Sequence, residues 1–203
     1  EEILRALLDT KCLKVDDDRW RFMRPDKPIV PQSLEDIAIR KYNRLSNEAR
    51  RVLEIACVAG EFDVRIIQEI TGFNEGHILG LMNDMQRLGL ICSNNNGYEF
   101  CEATSRRAIS NNYISGIKGR KLHRYVAEQI EKGNVEKEFE VVEELAVHYY
   151  DAQVVDKGVE YCISAADRAK QRYANSTAIH FYTQALDLLE FEKSEKYKQL
   201  IID

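Results

Sequence analysis

From Leu34 onward the apolar residues recur at helical intervals: Leu34, Ile37, Ala38, Tyr42 and Leu45 fall on one face of a predicted helix. Ser33 stands three residues before Asp36, the spacing of a capping box. Ser46 opens a second predicted helix with Ala49, Val52, Leu53, Ala56 and Cys57 on its apolar face, and Gly60 ends it. The segment "DVRIIQEITGFNEGHILGLMNDMQRLG" then predicts a helix, a turn at Thr71-Gly72 and a longer helix closed by Gly89. The strand pattern of "LICSNNNGYEF" follows, in which Tyr98 and Phe100 alternate with Glu99 and are expected on the core face.

That hairpin has a counterpart near the start of the chain. "CLKVDDDRWRF" shows the same outline without a gap: Trp20 matches Tyr98, Phe22 matches Phe100, and Asp16-Asp17-Asp18 match Asn94-Asn95-Asn96. Each hairpin follows an amphipathic pattern, Ile3, Leu4, Leu7 and Leu8 before the first and Leu81, Met82, Met85 and Leu88 before the second. A helix feeding a short two-stranded hairpin is the back half of a winged helix, expected here from about Ser46 to Phe100. "RPDKPIVPQS", which holds all three prolines, reads as a linker between the first hairpin and the helices.

Beyond Phe139 the pattern is helical, with small and aromatic residues at regular places: Ala146, Tyr149 and Tyr150; Tyr161, Ala165, Ala166 and Ala169; Ala178, Tyr182 and Ala185. Small residues let helices approach while rings fill the gaps, as in stacked αα-hairpins. Ala166, Ala178, Tyr182 and Ala185 have the spacing of a tetratricopeptide unit. The expected fold class is therefore mainly α: a winged helix with short β-hairpins followed by an αα-superhelical, tetratricopeptide-like segment. The expected organisation is 1–30, a β-hairpin unit; 31–104, helical linker and winged helix; 105–138, connecting helices; 139–203, helical repeats.

Composition agrees with a compact helical chain. Its 203 residues are 44% hydrophobic, with ten glycines and three prolines. No apolar run is long enough to span a bilayer and no signal peptide opens the sequence, so a cytoplasmic location without membrane contact is expected. Five cysteines, scattered and without a C-x-x-C pair, read as reduced core fillers rather than a disulfide frame or a zinc site.

Charge bears on the DNA-binding reading that a winged helix invites. Between Thr71 and Phe100 the chain has Glu75, Asp84 and Glu99 against Arg87, and the helix that would enter a groove begins Asn74-Glu75-Gly76-His77. Polyanion binding rests on Lys and Arg beside phosphates, so this surface suits protein contacts better. The strongest basic stretch, "SRRAISNNYISGIKGRKLHR", holds Arg106, Arg107, Lys118, Arg120, Lys121 and Arg124 with no acid, and is the candidate interaction surface. The acid-rich "EKGNVEKEFEVVEE" follows it, which suggests that the two complement each other or a neighbouring domain. Nucleic acid is the weaker expectation for both.

Catalytic patterns are sparse. His77, His123, His148 and His180 lie far apart in sequence without H-E-x-x-H spacing, and no Ser sits in a G-x-S-x-G elbow. His148, on an Ala-rich helix, reads as a packed core histidine. The triplet Asp16 to Asp18 lacks the spaced ligands of a calcium loop. No catalytic, cofactor or metal residue is assigned.

The run "VPQSLEDIAIRKYNRLSNEARRVLEIACVAGEFDVRIIQEITG" resembles the segment behind the nucleotide-binding core of STAND-class signal-transduction ATPases, including LuxR-type regulators and the ATPase-like modules attached to bacterial cyclases and kinases. "LMNDMQRLGLICSNNNGYEF", "RKLHRYVAEQIE", "ELAVHYYDA" and "AADRAKQRYANSTAIHFYTQALDLLE" are similar to that family's order of wing, connecting helices and first superhelical repeats. Where the family often has Phe-x-His after the wing, this chain has Phe100, Cys101 and Glu102. The resemblance implies that 1–30 ends an ATPase module and that the rest is a regulatory relay. Its implied partners are the protein's own ATPase and effector domains and a protein or small-molecule inducer on the repeats. ATP is implied for a longer protein, but the phosphate loop G-x-x-x-x-G-K-[ST] is missing here, so the segment itself is expected to be neither an ATPase nor another enzyme and to hold no cofactor. The alternative is a winged-helix DNA-binding transcriptional regulator.

Overall fold

The computed structural model describes the backbone of residues 13–16, 19–22, 34–94, 97–133 and 138–202, and the side chains of 34–93, 97–133 and 141–193. Among these residues the protein is mainly α-helical, with two separate two-stranded antiparallel hairpins. The expected helix at Ile3 to Leu8, the Ser33 cap and the Pro-rich linker lie outside the described residues.

The first hairpin comprises β1 (Leu13–Asp16) and β2 (Arg19–Phe22). Its register pairs Leu13 with Phe22 and Val15 with Trp20. The second comprises β3 (Ile91–Asn94) and β4 (Gly97–Phe100), pairing Ile91 with Phe100 and Ser93 with Tyr98. The two hairpins thus share one register, residue for residue, as their matched sequences predict.

Between them lie α1 (Leu34–Asn43), α2 (Asn47–Ala59), α3 (Val64–Thr71) and α4 (Glu75–Arg87). Their ends follow from local chemistry. The Ser46 hydroxyl accepts from the Ala49 N–H at 3.1 Å, satisfying one of the donors a helix start leaves open. Asp63 and Asn74 cap α3 and α4 in the same way. Gly60 and Gly72 close α2 and α3 at φ 85° and 76°, a region that side chains with a Cβ seldom enter.

The core of this half is Val52, Leu53, Ile55 and Ala56 of α2 against Ile67, Ile78, Met82 and Met85, and the hairpin brings Leu90 and Ile91 onto it. Tyr98 and Phe100 do face the core, but each remains half-buried. Phe100 meets Phe62 with ring centroids 5.0 Å apart. A two-stranded hairpin covers the edge of the cluster without being covered itself, which is why these rings stop short of full burial.

Next come α5 (Ala103–Tyr113) and α6 (Gly116–Gly133). They turn back over α1 and α2, where Tyr113 stacks on Tyr42 at 4.0 Å. α7 (Glu138–Asp151), α8 (Val155–Gln171) and α9 (Asn175–Ile202) complete the chain, each packing chiefly on its neighbours in sequence. The small residues work as their spacing predicts: Ala146, Ala165, Ala166, Ala169, Ala178 and Ala185 are all buried. At Gly158 the approach is so close that an added Cβ would lie 2.6 Å from Leu188 Cδ1.

The α7–α8 and α8–α9 turns are the same turn. Gln153 and Tyr173 take left-handed φ values of 56° and 59°. Val154 N–H reaches Tyr149 O at 3.1 Å and Gln153 N–H reaches Tyr150 O at 2.9 Å; Ala174 to Ala169 and Tyr173 to Lys170 repeat this at 2.9 and 3.0 Å. This bond pair satisfies the last carbonyls of each helix. No described helix is long and apolar enough to cross a membrane.

Candidate functional site

The basic stretch occupies α5 and the first half of α6, and most of its charges turn to the rest of the chain. Ser105, Ala108 and Ile109 are buried, so Arg106 is drawn toward the α2 end and donates from Nε to the Cys57 carbonyl oxygen at 3.0 Å. A cation there meets the partial negative charge and open carbonyls of a helix C-terminus. Lys118 Nζ lies 2.5 Å from Glu54 Oε1, and the same oxygen accepts from Tyr42 Oη at 2.5 Å. Glu54 is only 5% exposed, so both donors compensate a carboxylate removed from water. Burial and then Glu54 push the Tyr42 hydroxyl pKa up.

Arg120 Nη1 donates to Gln153 Oε1 at 2.8 Å and Arg124 Nε to Glu128 Oε1 at 2.8 Å. Arg107 stands 4.0 Å from Glu35 with both side chains largely exposed, a contact worth little. Lys121 alone of the six has no partner among the described residues. The six bases therefore do not form one open cationic face.

The expected complementarity with the acidic run also resolves differently. Glu131 accepts from Lys157 Nζ at 2.5 Å, Tyr149 Oη at 2.8 Å and Tyr161 Oη at 2.9 Å, and Glu143 pairs with Arg172. The bases that meet these acids come from α8 and the residue that caps its end, because α7 and the end of α6 lie against α8. Burial alone would raise the Glu131 pKa, but donation from Lys157, Tyr149 and Tyr161 outweighs it and the net shift is downward.

His148 is buried, as expected of a core histidine, yet it is not isolated. His123 Nδ1 lies 3.0 Å from His148 Nδ1, and 3.6 Å from Asp151 Oδ2. Burial, then His123 and Arg106, push the His148 pKa down to about 4. Burial lowers that of His123 too, against the pull of Asp151. A neutral pair of this kind shares one ring N–H, with one Nδ1 donating and the other accepting. The sequence reading set the histidines apart; only the crossing of α6 and α7 brings these two together, and a His on the inner face of each helix was the available signal.

Cysteine placement is mixed. Cys57 and Cys162 are buried fillers, while Cys92 is half-exposed and Cys101 exposed on the second hairpin. Among the described residues no group of three or more His, Cys, Asp or Glu is arranged to hold a metal ion. Comparison of the chain with protein-family models, with curated proteins and with solved structures returns no match.

Proposed function

We propose that this chain is a non-catalytic regulatory relay and protein-interaction segment of a multidomain signal-transduction ATPase of the STAND class. In this reading α2, α3, α4 and the β3–β4 hairpin form a winged helix that contacts the nucleotide-binding module. The helices α6 to α9 begin a tetratricopeptide-like superhelix that receives an inducer or partner, and nucleotide state and ligand shift one another's occupancy.

The observation that carries this reading is the disposition of the bases. Arg106, Lys118, Arg120 and Arg124 each donate to a group of the chain itself. Of the bases on α4, Arg87 sits 3.7 Å from Asp84. A protein that binds duplex DNA through several phosphates needs such cations free to displace counterions. A module that transmits packing changes needs them tied to its own helices.

Two measurements test it. In the product of the whole reading frame, replacing ADP by a non-hydrolysable ATP analogue is expected to change amide hydrogen exchange in α2–α4 and β3–β4. Identical exchange in both nucleotide states overturns the relay. Titration of duplex DNA with the 203-residue chain is expected to give weak binding that vanishes between about 50 and 200 mM salt, whereas tight, sequence-selective binding would make the chain a DNA-binding regulator.

A further inference from the structure

The end of α7 and the middle of α9 enclose a cleft of about 380 Å³ lined by Tyr150, Asp151, Gln153, Asp187, Leu188 and Phe191. Its construction follows from two features of the fold. Gly158 lets α9 come close enough for Leu188 to be buried, which sets the floor. The left-handed residue Gln153 ends α7 abruptly, leaving Tyr150 and Asp151 on one wall and Asp187 and Phe191 on the other.

The lining combines two carboxylates with two aromatic rings and an amide. Tyr150 Oη donates to Asp187 Oδ2 at 3.4 Å, a long bond that leaves the carboxylate's other oxygen without a donor among the described residues. Asp151 has His123 Nδ1 at 3.6 Å, and burial of that histidine favours its neutral form, so His123 is not a full counterion to it. Arg120 is engaged with the lining residue Gln153, donating to its Oε1 at 2.8 Å. One turn before Asp187 and in helical line with it and Phe191, Gln184 Oε1 is buried without a hydrogen-bond donor among the described residues. Acceptors are therefore in excess along this stripe of α9.

We propose that the cleft receives the guanidinium of an arginine side chain presented by a partner peptide. A planar group with five N–H donors can bridge Asp151 and Asp187 while its face lies against Tyr150 or Phe191. The volume is near the lower end of the range for ligand sites, which suits one side chain rather than a large molecule. The proposal rests on the reading of the helical repeats as the partner-receiving part of the chain.

The test uses the 203-residue chain and two probes, N-acetyl-Gly-Arg-Gly-amide and the same peptide with citrulline, a neutral isostere, in place of arginine. Saturable NMR shifts of the Tyr150 and Phe191 rings are expected with the arginine peptide, with binding at least about tenfold weaker for the citrulline peptide. Asp187→Asn and Asp151→Asn should each weaken arginine binding about tenfold, whereas Glu160→Gln on α8 should leave it unchanged. Far-UV circular dichroism confirms that the variants stay folded. Equal affinity for both peptides, absence of saturation, or indifference to both Asp substitutions overturns the proposal. A failed titration with intact nucleotide-dependent exchange removes this inference alone, and loss of the exchange response with intact arginine binding removes the relay alone.

Discussion

His123 and His148 meet nitrogen to nitrogen, Nδ1 to Nδ1 at 3.0 Å, across the α6–α7 contact. The donating ring keeps a free Nε2, but the accepting ring cannot take a proton on Nδ1 without placing N–H against N–H, so the contact excludes the doubly protonated pair.

That arrangement makes stability depend on pH. The His148 pKa is held down to about 4 from 6.5, so on acidification the unfolded chain takes up the proton first. The stabilisation is fully present above pH 6.5 and is lost progressively as pH falls toward 4, reaching on the order of 3 kcal/mol. His123 and Arg106 act on this ring, and Asp151 stands 3.6 Å from His123. In urea unfolding, His148→Gln is expected to be less stable than wild type at pH 7 and to close much of that gap by about pH 4.5. Parallel stability curves would show that the pair does not titrate as described.

Two lysines three residues apart should behave differently. Lys118→Met leaves the buried Glu54 carboxylate with Tyr42 as its one named donor, at an expected cost of about 1–2 kcal/mol. Lys121→Met removes an exposed charge that has no partner among the described residues and should stay within about 0.5 kcal/mol of wild type. Thermal midpoints decide this, since each kcal/mol corresponds to about 2–4 °C for a chain of this size.

Gly158→Ala should destabilise even though alanine is the better helix former. The new methyl would stand 2.6 Å from Leu188 Cδ1, whose residue is 2% exposed and has little room to move. Overpacking of this kind costs about 1–3 kcal/mol, against about 1 kcal/mol gained in helix propensity. In a Leu188→Ala background the clash is gone, and Gly158→Ala should become neutral or stabilising. A double-mutant cycle with no coupling between the two sites would contradict the close contact.

Tyr173 is 89% exposed and holds a left-handed φ of 59°. Relief of that conformation is worth about 1 kcal/mol, and the flexibility of glycine returns part of it. Tyr173→Gly is therefore expected to raise the thermal midpoint by a degree or more, and Tyr173→Val, branched at Cβ, to lower it.

Features determined by a few neighbouring residues were legible in the sequence. Ser46, Gly60 and Gly72 end helices through bonds within one turn, and the matched residues of the two hairpins produce matched registers. The burial of Ala165, Ala166 and Ala169 follows from spacing alone. What escaped was set by how helices cross. Nothing near Lys118 in sequence points to Glu54, and nothing near Glu131 points to Lys157; those partners depend on the rotation of each helix about its axis. The Asp151–Asp187 cleft was invisible for the same reason, its walls belonging to helices separated by all of α8.

The repeated turn at Gln153 and Tyr173 has a consequence for the order in which the chain folds. Helices α7, α8 and α9 meet their main partners across connections of three residues, so their association closes short loops at small entropic cost. The other half must wait for α5 and α6 to return to α1 and α2, as when Lys118 reaches Glu54 over a separation of 64 residues. The C-terminal helices are thus free to assemble early, one on the next, while the cluster around Leu53 and Met82 closes late and as a unit.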